Sequence, residues 1–397
     1  MQRPVAAGDK PIDYPARARA LRPMLEALAP EIERGRRLPP ALLAALHEAG
    51  LFRLLLPRSQ GGAEVEPDVF MQMMEEIAKG DASTAWCIGQ ASGCSMSAAY
   101  LEPAVAREIF GRDPAAVLAW GPPSPTARAI AAPGGYRVTG TWGFASGGRH
   151  ATWFGAHCAI TEADGKLRLD SAGKTAERTM LFPAASATMT DVWNVVGLKG
   201  TASDNYSVSD LFVREDHTVS RNAQAERREP GPLYHLSDVA LYSIGFAAVA
   251  LGIARATLDA FVQIAQNKSP RGSRNTLRDN AVVQSQTAQG EARLASARLY
   301  LLQSVREVWR EVKAAGTVTV DQRMAIRLAS TFAIHQAKDV VDVIYHAVGA
   351  TAIFESNPFE RRFRDVHTVA QQLQGRQAHF ETVGHHLLGG DADMMFV

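Results

Sequence analysis

Between Ala16 and Arg37, Leu21, Leu25, Leu28 and Ile32 recur at the spacing of one helical face, with charged residues between them. Pro39-Pro40 breaks that pattern. Leu42, Leu43 and Leu46 open a second helix, which Gly50 is placed to end. Glu66-Pro67 restarts a helix through Ile77. Gly80-Asp81-Ala82-Ser83 then reads as a turn with an N-cap, opening a helix of small residues, TAWCIGQASGCSMSAAYL. Small side chains let neighbouring elements approach closely. The same stretch, with Trp86 and Gln90, also fits a substrate-pocket wall, and both readings stay open.

At about Val117 the period changes. Pro, Gly and Thr rise, and two-residue alternation runs through GGYRVTGTWGF, AHCAI, TMLFP and NYSVSDLFV, with Gly134-Gly135 as a turn between strands. A polar loop from Ala223 to Pro232 follows. Ser237 then caps a long helix that is apolar almost all round, with Asp238 at its positive end. A second long helix is predicted from near Asp279 to Gly316. Thr319 and Gln322 form a capping box for a third, running to about His346. Asn357 as N-cap, Pro358 at the first helical position and Glu360 as the capping-box acid start a fourth, continuing to Leu388. Four long helices with short connections predict a bundle. The chain therefore reads as α+β, mostly α. A helical part spans 1–116 (residues 1–10 a loose tail), a β-domain 117–225 and a four-helix part 226–397.

Composition narrows the function classes. Charged residues make up 21% and hydrophobic residues 46% of the 397, and the net charge is +1. That balance argues against nucleic acid or an anionic membrane as the main partner. Cys87, Cys94 and Cys158 form no C-x-x-C pair, and the N-terminus has no apolar core of signal-peptide type. Both observations point to a reduced, cytoplasmic setting. No apolar run is read as reaching the ~20 residues that span a bilayer.

The chemistry concentrates near the C-terminus. Arg361, Arg362, Arg364, Asp365 and His367 crowd one helix, and Arg364, His367 and Gln371 fall at i, i+3 and i+7 on a common face. Spacing alone fits a solvated charged face. The wording FESNPFERRFRDVHT, however, resembles the C-terminal active-site segment of the acyl-CoA dehydrogenase superfamily. The order helical, β, helical matches that family's architecture over nearly the whole chain, which implies a middle β-barrel and a C-terminal four-helix bundle. Leu51-Phe52-Arg53 through Pro57 to Gly61-Gly62 resembles another of its stretches. The dehydrogenases carry an E-G-T beyond R-D, whose Glu removes the substrate α-proton. Here Gln371-Gln372-Leu373-Gln374-Gly375 stands instead. Other members place that Glu on the first long bundle helix, near Tyr242-Ser243, and no Glu occurs between Ser237 and Gly252. The R-D-x-H form, with His367, resembles the flavin-dependent monooxygenases of this fold.

The resemblance carries over further residues. Trp142 to Trp153 aligns with a flavin-contacting motif, with Phe144 in place of a Trp and Ser146 in place of the Thr that bonds the flavin near N5. Thr to Ser keeps a hydroxyl able to donate and accept. Without the resemblance, Ser146 is a serine in a glycine turn. Gly197 to Ser203, with Thr201 and Ser203, resembles a stretch bordering flavin and substrate. Trp120-Gly121-Pro122-Pro123 stands where the dehydrogenases have a TEPGAGSD-type loop touching the ring. The acid and the Gly-Ser pair of that loop are missing. Arg271 and Gln284 resemble a pattern that grips flavin phosphates across a subunit boundary, with its Phe-Gly half degraded to Gly-Ser, and a plain surface arginine reads almost as well. Gly349 remains from a Q-x-x-G-G turn at the adenine end, which leaves FMN and FAD both open. His385-His386 share no helix face for a metal, so no metal is expected.

The resemblance implies the oxygenase half of a two-component flavin monooxygenase. Reduced FMN or FAD would diffuse in from a separate reductase, since no Rossmann G-x-G-x-x-G occurs. Dioxygen would add at flavin C4a, and the hydroperoxide would hydroxylate a small aromatic or heteroaromatic substrate. Ser146 would hold the N5 region. His367 would serve as base or hydrogen-bond partner, while Trp86, Gln90 and Gln371 would face the substrate. Cross-subunit phosphate binding implies a homotetramer. The alternatives are an acyl-CoA dehydrogenase with a displaced base and a flavin-fold protein that only binds.

Overall fold

The computed structural model describes residues 12–170, 173–220 and 224–391. The expected loose tail at 1–10 and the start of the polar loop at Ala223 lie outside the described residues. Five helices open the chain: α1 (Tyr14–Gly35), α2 (Pro40–Glu48), α3 (Pro67–Gly80), α4 (Ala82–Ser95) and the short α5 (Pro103–Ala106). Eight strands follow: β1 (Leu118–Trp120), β2 (Arg128–Ala132), β3 (Gly135–Ala145), β4 (Trp153–Thr161), β5 (Glu177–Pro183), β6 (Thr188–Thr190), β7 (Asp204–Arg214) and β8 (Thr218–Val219). The last helices are α6 (Asp238–Ala265), α7 (Ala281–Ala315), α8 (Val320–Val348), α9 (Phe359–Gln371) and α10 (Ala378–Leu387).

The strands form one sheet in the order β6-β7-β3-β2-β4-β5-β8, with β1 paired parallel to β4. Gly134, at φ +76°, turns β2 into β3, as the sequence predicts. Inside the sheet Trp142 stacks on Tyr206 (5.3 Å), and Tyr206 stacks on Phe154 (4.4 Å). The opening helices and α6–α9 share one apolar core rather than two. A smaller cluster, including Leu56, Cys94, Leu118, Trp120 and Leu181, ties the end of α4 to the sheet.

Caps that depend on near neighbours appear where the sequence puts them. Ser237 Oγ accepts from Ala240 N at 3.1 Å, and Thr319 and Gln322 close their capping box. The start and course of the fourth bundle helix differ. Asn357 accepts from Phe359 N at 3.4 Å, one step outside a true N-cap, and Glu360 bonds forward to Arg364 instead of reaching back. The helix does not run on to Leu388. It stops at Gln371, makes a 3₁₀ turn over Leu373–Gly375 and restarts as α10. A Cβ on Gly375 would lie 2.6 Å from Ala370 O, so only glycine allows that fold-back. The expectation that no segment is long and apolar enough to span a bilayer is also corrected. α6 passes that test, but 89% of its apolar window is buried inside the fold.

Candidate active site

The site grows from the seam where α4, the sheet, the 197–203 turn and α9 meet. Asp81 caps α4, its Oδ1 accepting from both the N–H and the hydroxyl of Thr84 at 2.7 Å. That cap is itself buried. One turn along, the Trp86 indole lies flat on Phe246 of α6, with ring centroids 3.7 Å apart and planes 6° apart. Trp86 Nε1 donates to Ser146 Oγ at 3.1 Å.

Ser146 follows a bulge in β3, and Gly147 N bonds to Thr201 O at 2.9 Å, fixing Ser146 against the turn. Its hydroxyl lies 2.6 Å from Ser203 Oγ, which lies 2.8 Å from Thr201 Oγ1. Thr201 Oγ1 donates to Leu198 O at 2.9 Å. These hydroxyls are nearly removed from solvent.

The turn bearing Thr201 and Ser203 holds two non-glycine residues in the left-handed region, Leu198 at φ +51° and Ala202 at φ +42°. Such a conformation persists only where its surroundings over-determine it. Here Asp365 of α9 accepts from Leu198 N at 2.6 Å, Trp193 Nε1 donates to Leu198 O at 3.1 Å, and Gly200 sits against Ile32 and Ser83. Burial raises the Asp365 carboxyl to about 7, the bond from Leu198 opposes this, and Asp81 nearby adds to it. Arg364 binds Glu33 of α1, Glu360 and Val196 O. The R-D pair of the C-terminal motif therefore clamps this turn.

Phe144 stands beside Ser146 at φ +60°, 65% exposed, with its ring edge-on to Trp193 at 5.9 Å. An aromatic residue held exposed in that region is a costly choice for a strand end. On the other side, Gln90 Nε2 reaches Trp120 O at 3.3 Å and Tyr242 Oη at 3.4 Å, with Cys94 adjoining. Gly93 lets Tyr242 in, since a Cβ there would meet its ring at 2.4 Å. Gly121 similarly admits Gly143 O, which a Cβ would approach to 1.8 Å.

The two stretches where the resemblance would put a dehydrogenase's carboxylate, Tyr242-Ser243 and 371–375, meet in space through neutral side chains. Ser243 Oγ donates to Gln374 Oε1 at 2.8 Å, and Arg327 also bonds that oxygen.

The structure thus brings together Trp86, Gln90, Trp120, Gly121, Phe144, Ser146, Thr201 and Ser203. It does not bring the remaining candidates to them. His367 Nε2 bonds to Asp342 Oδ1 of α8 at 2.7 Å, with its ring against Phe363. Gln371 is exposed at the last residue of α9, where the helix ends and the expected shared face with it. Arg271 and Gln284 are exposed, Gln284 bonding Arg278 O at 2.8 Å, and Gly349 is exposed at φ +68°. Sequence reasoning missed Phe246, Asp365 and the partnership of Tyr242 with Gln90. The only signal for the last was the glycine in the small-residue helix. A separate cleft of about 680 Å³ lies between α1, α6 and the start of α9, lined by residues such as Arg22, Asp259, Glu355 and Arg361. It touches none of the cluster.

These residues suit a flavin. Ser146 and Phe144 offer a hydroxyl and an exposed aromatic wall at one edge, and the buried hydroxyl chain supplies ordered polar contacts without a metal-ligand donor set.

The sequence matches the acyl-CoA dehydrogenase N-terminal domain over residues 17–104 and the acyl-CoA dehydrogenase C-terminal domain over 244–375. Indole-3-acetate monooxygenase of Pseudomonas putida is 30% identical over 387 residues, covering 94% of this chain and 96% of that protein. The chain belongs to the flavin-dependent monooxygenase branch of the acyl-CoA dehydrogenase superfamily. Two solved members of this superfamily fold superpose closely. XiaF from Streptomyces sp., in complex with FADH2 and glycerol, has a TM-score of 0.87 and 25% identity over 96% of both chains. The 3-HSA hydroxylase from Rhodococcus sp. RHA1 has a TM-score of 0.88 and 25% identity over 97% of this chain and 99% of that one. As a member of this branch the protein is an oxidoreductase.

Proposed function

We propose that this chain is the oxygenase component of a two-component system that hydroxylates a small aromatic or heteroaromatic acid. It would use reduced FMN or FAD delivered by a separate reductase, with O2 as co-substrate. The observation that carries the reading is the neutral Ser243–Gln374 contact. A dehydrogenase needs a base to remove the α-proton of a thioester. Here the bundle-helix and C-terminal base positions are occupied by a hydroxyl and an amide bonded to each other.

Reduced flavin supplies the two electrons that activate dioxygen, with one oxygen atom entering the ring and the other leaving as water. The protein's own groups do the rest. Ser146 would hydrogen-bond the flavin edge, and Phe144 with Trp193 would border it. Trp86, Phe246 and Tyr242 form an aromatic wall for a flat substrate, Tyr242 lying 5.6 Å from Phe246 at 12°. Gln90 and the Tyr242 hydroxyl meet the substrate's polar group. The name of the Pseudomonas relative supports an aromatic acid, and the FADH2 of the XiaF complex supports a reduced flavin. The closely packed α4–α6 seam excludes water, which otherwise diverts the activated oxygen to hydrogen peroxide. His367, bonded to Asp342, and Gln371, at the end of α9, have no role in this reading. A homotetramer, or at least a dimer, in the cytoplasm completes the proposal.

The test couples the protein to an NADH-dependent flavin reductase under ¹⁸O-labelled dioxygen and reads product mass over a panel of indole and phenolic acids. One label per product molecule is expected. Anaerobic bleaching of bound flavin by an acyl-CoA at catalytic rates, with no labelled product, would restore the dehydrogenase reading.

A further inference from the structure

We propose that the cleft between α1, α6 and the start of α9 binds a small organic phosphate monoester, held at the N-terminus of α9 by Arg361 and Arg362.

The cleft, about 680 Å³, has the size of a small-molecule pocket, and Pro30, Ala260 and Val262 give it an apolar lining. Most charges on its walls are already closed. Arg22 pairs with Glu26 at 2.9 Å, and Arg255 reaches Asp259 and Glu291, each at 2.7 Å. Donors without acceptors gather at one end. Arg362 is only 9% exposed, and among the described residues its one hydrogen bond runs from Nη1 to Ala256 O at 2.8 Å. No carboxylate pairs with it. Burial brings its guanidinium down to about 10, while Glu26 and Asp259 at longer range are offset by Arg22 and Arg361. A buried cation without a counter-ion is costly. Arg362 nonetheless lines the cleft, and its other nitrogens are not sealed from solvent. Arg361 lines it too, half-buried and without an ion pair among the described residues.

The α9 backbone adds two donors. A helix N-terminus leaves its first N–H groups without intrahelical partners. The Asn357 side chain takes only Phe359 N–H, at 3.4 Å, and Glu360 turns to Arg364 instead of capping. The N–H groups of Glu360 and Arg361 have no acceptor among the described residues. Ser356, Asn357 and Pro358, which lead into the helix, line the same cleft. The positive end of a 13-residue helix and two guanidinium groups therefore converge. Such a donor set suits the three oxygens of a phosphate dianion better than the two of a carboxylate. Glu355 at the rim opposes further negative charge, which favours a monoester over a polyphosphate. The apolar lining receives the organic part.

Isothermal titration calorimetry on the full-length protein, in phosphate-free buffer, tests this with phenyl phosphate and with benzoate as the carboxylate of similar shape. One saturable site per chain is expected for phenyl phosphate, with benzoate at least about tenfold weaker. Arg361→Gln and Arg362→Met should each weaken phenyl phosphate binding roughly 10- to 150-fold, the range of one charge-assisted hydrogen bond. Arg271→Ala alters the candidate site for flavin phosphates and should leave this binding unchanged. Arg361 is half-buried on the rim, so Arg361→Gln decides the matter even if Arg362→Met does not fold. The proposal is overturned by the absence of saturable binding, by wild-type affinity in the folded arginine variants, by benzoate binding as tightly, or by loss of binding in Arg271→Ala.

Discussion

Ser146 acts through what its neighbours leave it. Ser146→Ala removes the acceptor for the Trp86 N–H and the contact with Ser203. A lost hydrogen bond at a buried centre costs about 1–3 kcal/mol, so the ratio of product to hydrogen peroxide should fall roughly 5- to 150-fold. Parallel peroxide and product assays read this directly, and wild-type coupling in the variant would refute the role. His367 should behave differently. Its bond to Asp342 is partly exposed on both sides, so His367→Ala should cost no more than about 1 kcal/mol of stability and leave hydroxylation within a few-fold. A hundredfold loss of turnover would return it to the chemistry. His150, just beyond Ser146, gives a pH signature. Burial, then the nearby His47, lowers its pKa to about 4, and its Nε2 has no hydrogen-bond partner. The folded state therefore binds fewer protons than the unfolded one. The stability this group contributes is complete above the ordinary histidine range near 6.5 and is lost as pH falls toward 4. His150→Phe should flatten the acid limb of a melting-temperature profile across that window.

At the scale of elements, α9 matters as the clamp on the 197–203 turn. Asp365→Ala strands the buried Leu198 N–H and should destabilise the protein by about 1–3 kcal/mol, whereas Asp365→Asn keeps the acceptor. The Asp365 carboxyl, raised chiefly by burial to about 7, makes the folded state hold its proton longer than the unfolded state does. Its contribution is present at low pH and is lost as pH rises from the ordinary carboxyl range near 4 through 7. Urea midpoints at pH 5 and pH 8 should show a smaller fall for Asp365→Asn than for the wild type. An equal fall would mean that another group carries it. This clamp also shows where sequence reading stops. The Ser237 and Thr319 caps, the strand alternation and the apolar α6 are set by neighbours a few residues away, and they are legible. The break between α9 and α10 depends on Gln374 reaching Ser243 and Arg327 on other helices. His367 turns to Asp342 for the same kind of reason, a partner 25 residues away on α8. Helical spacing holds no record of such partners. The resemblance gathered Ser146, Thr201 and Ser203 into one site, and only the fold shows that their hydroxyls touch one another.

Across the whole molecule, Arg271, Gln284 and Gly349 stand exposed and make no hydrogen bond to the Ser146 cluster among the described residues. Exposed apolar side chains such as Leu299 of α7, Val343 of α8, and Ile353 and Phe354 beyond it line the same helical part. Both observations fit a closed assembly in which each protomer lends its helical surface to a neighbour, and D2 symmetry is the expected form. Light scattering at micromolar concentration should give a tetramer or dimer, and a monomer that still binds reduced flavin tightly would refute the assembly. A mixing experiment separates a lent Arg271 from one that serves its own chain. Ser146→Ala alone and Arg271→Ala alone should each be impaired at every site. In mixed oligomers formed by co-expression at equal amounts, a site built from Ser146 of one protomer and Arg271 of its neighbour is intact. Random assortment makes about a quarter of sites intact if Arg271 acts across the boundary, and none if it acts within its own chain. Recovered coupling in the mixture therefore places Arg271 in the neighbouring site, whereas a mixture no better than the average of its parents means that Arg271 serves its own chain; an unimpaired Arg271→Ala would make it an ordinary surface arginine.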